Sequence, residues 1–109
     1  MNVTVKSLNS ANVRMDNSVD ADRVYDIAAN VNVFGTNVTD TNGEVRMKGD
    51  SSSVIATFNS YGTDNLSVNY QGLNIQQQQA VNTAINAFIA DAQAEVGTGE
   101  AFNINVNNN

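Results

Sequence analysis

A chain of 109 residues supports one domain with a single modest core, and its net charge of −6 sets it against phosphate backbones. The few cations, Lys6, Arg14, Arg23, Arg46 and Lys48, are scattered, so no nucleic-acid partner is expected. The absence of Cys and His excludes disulfides, thiolate nucleophiles, imidazole bases and Cys/His zinc sites.

In chain order, residues 2–72 follow the strand period of 2. In "NVTVKSLNSANVRMD", Val3 and Val5 alternate with polar residues, residues 8–10 interrupt, and Val13 and Met15 alternate again. A hairpin with a three-residue loop fits this pattern, and so does one strand kinked at residues 8–10. Asn42-Gly43 is a strong signal for a type I′ turn, because both central positions need φ > 0 and these residues tolerate it. Closing there pairs Val38 with Met47 and Asp40 with Val45; further out, the same register pairs Val31 with Val54, Ala29 with Ala56 and Ile27 with Phe58. The apolar parity switches where Gly35 would face Asp50, which predicts a bend. The expectation is a long bent hairpin over about residues 23–60 whose base and tip bury opposite faces. A helix over 20–31 competes with it, since Val24, Ile27, Ala28 and Val31 also fit helical spacing.

A second hairpin is expected in "VIATFNSYGTDNLSVNY", where a loop at Gly62 to Asp64 sets Phe58 opposite Val68 and Ala56 opposite Tyr70. A helix over 75–96 follows. Asn74 and Gln77 form a capping box, Val81, Ile85, Phe88, Ile89, Ala92 and Val96 continue the apolar stripe begun at Ile75, and Gly97 is the stop. Phe102, Ile104 and Val106 alternate in a final strand over 101–106, before a polar tail at 107–109. The predicted fold is a single α+β domain spanning 1–109: an antiparallel β-meander with a long bent hairpin, one long C-terminal helix packed on one face, and a short final strand.

The motifs that suggest chemistry are incomplete. "DNSVDAD", residues 16–22, spaces Asp16, Ser18 and Asp20 as a calcium loop does, but Ala21 stands where the sharp turn needs Gly and Ile27 where the bidentate Glu belongs. "GTGE", residues 97–100, follows a helix, whereas phosphate loops precede one. The glutamines at 76–79 read as a solvated first helical turn, and the Ser run at 51–53 has no His or Cys to activate it. The three Asn-x-Ser/Thr sites, at Asn2, Asn37 and Asn65, are what chance supplies from 19 Asn and 16 Ser plus Thr. No enzyme activity, cofactor or metal is expected.

If the helix covers the base of the long hairpin, the tip residues Phe34, Val38, Val45 and Met47 face the other way. An exposed apolar tip of this kind marks a protein-interaction site, either a subunit interface or a groove for an extended chain. Sheet twist that returns the tip to the common core, or a first hairpin folded across it, would remove that surface.

Two of these stretches resemble the SecB-type export chaperone superfamily. "VTVKSLNSANVRMD", residues 3–16, is similar to the family's opening strand, through Val3, Val5, Leu8, Asn12, Val13 and Met15-Asp16. "ADRVYDIAANVNVFG", residues 21–35, is similar to its long central strand, through Val24-Tyr25-Asp26 and the alternation that follows. The resemblance implies a homo-oligomeric holdase, a dimer or tetramer that binds unfolded or extended polypeptide without ATP. The acidic composition and lack of catalytic groups suit this, and they equally suit a small structural or phage-type assembly protein, or an adaptor for one partner. No apolar run approaches the roughly 20 residues that span a bilayer, and "MNVTVKSLNS" lacks the apolar stretch of a signal peptide, so a cytoplasmic protein with no membrane partner is expected.

Overall fold

The computed structural model describes residues 10–97. They form five strands, β1 (Ser10–Asp16), β2 (Tyr25–Phe34), β3 (Asn37–Met47), β4 (Val54–Tyr61) and β5 (Asn65–Tyr70), followed by one helix, α1 (Ile75–Gly97). The strands make one antiparallel sheet in the order β1-β2-β3-β4-β5, and α1 packs on one face, so the fold is an α+β meander. Val3 and Val5 and the strand expected over 101–106 lie outside the described residues.

The β4–β5 hairpin pairs Phe58 with Val68 and Ala56 with Tyr70, the predicted register, around the loop 62–64. The capping box at the start of α1 is present: Asn74 N–H donates to Gln77 Oε1 at 2.9 Å, and Gln77 N–H donates to Asn74 Oδ1 at 2.8 Å. The predicted stripe from Val81 to Val96 is buried, while Ile75 is 73% exposed. Residues 25–31 are strand, so the competing helix does not form.

The central hairpin differs from expectation. Asn42-Gly43 makes no turn and sits in mid-strand, where Gly43 pairs with Ala29 on one side and Phe58 on the other. The chain turns instead at Gly35-Thr36, a two-residue loop in which Gly35 has φ 67, as a type II′ turn requires at its first central position. Length supplies the reason. A strand running from residue 23 to residue 41 would extend about 60 Å, whereas a 23-residue helix covers only about 34 Å. Folding at Gly35 gives strands of 10 and 11 residues, which match the helix.

The parity switch is real: the Gly35-Thr36 turn sets odd-numbered Val33 opposite even-numbered Val38, and a bulge then returns the inward residues of β3 to odd numbers. Asn32 pairs with Asp40 and Val33 with Val38, so Thr39 is the extra residue on β3, and its hydroxyl donates to Asn32 C=O at 3.1 Å. Val38 therefore shares a face with Thr41, Gly43 and Val45, and all of them meet the helix layer with Ile27, Ala29, Val31 and Val33 of β2. The bulged region is tied to the helix by Gln93, whose Oε1 accepts from Val38 N–H and whose Nε2 donates to Thr36 C=O, both at 2.9 Å.

Across the middle of this face runs the row Met15, Ala29, Gly43, Phe58, Val68. A Cβ on Gly43 would lie 2.6 Å from the Phe58 ring and 2.6 Å from Ala28 C=O, so this glycine serves close packing. Phe58 lies over it and meets Phe88 of the helix edge-on, with ring centroids 6.3 Å apart at 72°. Gly43→Ala should therefore cost about 1–3 kcal/mol through overpacking in urea denaturation. A cost near zero would show that the ring above Gly43 moves aside freely.

Candidate functional site

The other face of the sheet, away from α1, accounts for much of the asparagine. Asn12, Asn32 and Asp40 lie in one cross-strand row, joined by Asn12 Nδ2 to Asn32 Oδ1 and Asn32 Nδ2 to Asp40 Oδ1, both at 2.6 Å. Arg14, Asn30, Asn42, Asn59 and Ser67 form the next row. Arg14 approaches Glu44 at 3.7 Å, and Arg46 bonds the same carboxylate at 2.8 Å. This face is largely polar and solvated, but toward the Gly35 turn it also carries Phe34 and, opposite Asp40, Tyr61, both mostly exposed; elsewhere apolar surface meets water on the helix side and along the two sheet edges.

The four residues expected to form an interaction tip separate. Val38 and Val45 are 4% and 0% exposed and belong to the core beneath α1. This overturns the geometry on which the tip rested, because the turn at Gly35 and the bulge at Thr39 carry both side chains back to the helix face. Phe34 is 60% exposed beside the β2–β3 turn and Met47 is 44% exposed at the far end of β3, so the two do not form one patch. Val38→Asp should therefore abolish cooperative unfolding in circular dichroism. Met47→Asp should leave the fold intact and change stability by about 1 kcal/mol or less.

The acidic groups with perturbed titration are held by local hydrogen bonds. Asp16 Oδ1 accepts from Ser18 Oγ at 2.6 Å and Ser18 N–H at 3.0 Å, which lowers its pKa from the ordinary 3.8. Asp50 is lowered in the same way by the Ser52 hydroxyl and N–H. Asp26 accepts from Arg23 Nε at 2.6 Å and from Gly49 N–H at 3.0 Å, and both bonds lower its pKa. Asp26 thus links the 17–24 loop to the 48–53 loop, where Lys48 Nζ also bonds Ala21 C=O at 2.7 Å. These arrangements hold carboxylates ionised, the opposite of what a general acid needs. Within the former calcium candidate, Asp20 Oδ1 accepts from Asp22 N–H at 2.9 Å, so its oxygen caps its own loop. Among the described residues no group of three or more His, Cys, Asp or Glu could hold a metal ion, and no helix is long and apolar enough to cross a membrane.

A folded-state pKa below the unfolded value means that folding favours the ionised Asp26, so its contribution is present above about pH 4 and is lost as pH falls below that. Asp26→Asn should therefore melt below the parent chain at pH 7, and the gap should close below pH 3.8, the ordinary carboxyl value, as followed by melting scans against pH.

The edges remain. α1 packs chiefly on β2 and β3, and the outer strands carry half-buried apolar side chains at the margins of that contact: Ala11, Val13 and Met15 on β1, and Leu66, Val68 and Tyr70 on β5. Among the described residues, β1 and β5 each pair on one side only. On the β5 side a shallow, open hollow of about 320 Å³ lies between Tyr70 and the first turns of α1, lined there by Ile75, Gln78, Gln79, Asn82 and Thr83. Asn82 Nδ2 donates to the Tyr70 hydroxyl at 3.2 Å and fixes one wall. Alternation alone did not mark this margin as a site, although a compositional signal exists: no charged residue occurs between Asp64 and Asp91. Scans against protein-family models, curated proteins and solved structures each give no match to this chain.

Proposed function

We propose that this chain is a non-catalytic protein-binding module that works in the cytoplasm as a homo-oligomer and takes up unfolded or extended polypeptide. The observation that carries the reading is the pair of edge strands with half-buried apolar rows, Ala11, Val13 and Met15 at one side and Leu66, Val68 and Tyr70 at the other. An extended chain can add main-chain hydrogen bonds to such an edge while alternate side chains enlarge the apolar layer. The narrower reading, a SecB-like holdase, is supported by the resemblance of residues 3–16 and 21–35; the described parts of those stretches include β1 and β2, which pair antiparallel with Val13 opposite Val31.

The test dilutes a denatured globular protein into buffer with and without this chain and follows light scattering in the absence of ATP. Near-stoichiometric suppression of aggregation, together with a dimer or tetramer in sedimentation, is the expected outcome. Unchanged scattering would refute the holdase. A monomer with unchanged scattering would leave neither the holdase nor the homo-oligomer standing.

A further inference from the structure

The two sheet edges are chemically unlike. β1 carries Arg14 and Asp16 on its outer face, charges of the kind that guard an edge against pairing. β5, "NLSVNY", has neither charge nor proline, and the helix turns beside it are equally uncharged, because the charge-free run extends from Asn65 to Ala90. Gln71 N–H bonds Ile55 C=O at 2.9 Å and continues the β4–β5 register. The odd-numbered residues of β5 therefore exchange bonds with β4, and the N–H and C=O groups of Leu66, Val68 and Tyr70 point away from the sheet. The side chains of the same three residues lie on the helix side, and the row ends at the hollow beside Tyr70 and Ile75.

We propose that the β5 edge and this hollow together form a strand-acceptor site for an extended, uncharged segment of another polypeptide. The inference rests on the protein-binding reading and names its site and the chemistry of its partner. The incoming segment bonds through its main chain to Leu66, Val68 and Tyr70. Its alternate side chains extend the apolar row of β5, and one of them fills the hollow against Tyr70, Gln78 and Asn82. Apolar and amide side chains suit these walls. A carboxylate or ammonium group there would lose water without gaining a counter-ion, so the site discriminates against charge at those alternate positions.

The probe is a capped seven-residue peptide alternating valine with asparagine, titrated into the full chain and followed by amide chemical shifts. Shifts should concentrate at Leu66, Val68 and Tyr70 and at the Gln78 and Asn82 side-chain amides, and a peptide with glutamate in place of valine should not bind. Val68→Pro removes one outward N–H, spares the bonds to β4, and should weaken binding by about tenfold or more. Asn12→Pro, the matched change on β1, should leave binding unchanged. Should Val68→Pro fail to fold, the double variant Ser67→Lys, Asn69→Lys places two charges along the edge and should produce the same loss. Undiminished binding in a folded edge variant, or shifts centred on β1, would overturn the assignment. So would β5 amides already protected from exchange in the peptide-free chain, which would give the edge to a second copy or to a terminal segment of this one. The edge variants also separate this inference from the reading beneath it. Suppression of client aggregation that persists in them removes the β5 site and keeps the protein-binding module, whereas its absence in the parent chain removes both.

Discussion

The contact on which the rest of the packing depends is Phe58 lying over Gly43 with Phe88 of the helix against its edge. A helix rests on a sheet at a spacing set by the largest side chains between them, and here the largest lies above a residue with no side chain. Ala29 and Gly43 are the two small members of the row Met15, Ala29, Gly43, Phe58, Val68, so the ring has a seat, and the aliphatic residues Val81, Ile85 and Ile89 can reach the sheet around it. A side chain at position 43 would lift the ring, and the helix with it.

The same economy of space explains the register. A meander of short strands places every second residue under the helix only if each strand keeps its parity, and β3 would lose it at Val38 without the extra residue Thr39. Val38 N–H points away from β2, past the end of β4, and Gln93 of the helix accepts from it while its amide nitrogen holds Thr36 C=O. One glutamine thereby fixes the far end of the helix to the turn made possible by Gly35. Thr41 is less well served. It is buried between Val31 and Ser60 in its row, and its hydroxyl has no hydrogen-bond partner among the described residues, a burial that costs roughly 1–3 kcal/mol.

Features written in short-range chemistry were legible in the sequence. The capping box of Asn74 and Gln77, the helical stripe from Val81 to Val96, and the three-residue loop between Tyr61 and Asn65 each depend on residues a few positions apart. The turn at Gly35 was not legible, because Asn42-Gly43 has the better local turn chemistry and the competing requirement on Gly43 comes from Phe58 and Phe88, both distant in sequence. The misplaced turn then misplaced the interaction residues. Parity did change along the hairpin, and placing that change in a bend instead of in the Gly35-Thr36 turn and the Thr39 bulge turned Val38 and Val45 outward when they belong inside.

The distribution of charge separates the two ends of the sheet more sharply than hydrophobicity does. Both edge strands carry three half-buried apolar side chains, and an edge is an invitation to pairing wherever nothing repels the incoming chain. At β1 the ion pair of Arg14 with Glu44 and the capped, ionised Asp16 put fixed charges beside the strand. At β5 the outer face offers only Asn65, Ser67 and Asn69, and the adjoining helix turns offer glutamine and asparagine. Amides hydrogen-bond a passing main chain without demanding a counter-charge, and along the uncharged run from Asn65 to Ala90 no side-chain charge opposes an incoming chain.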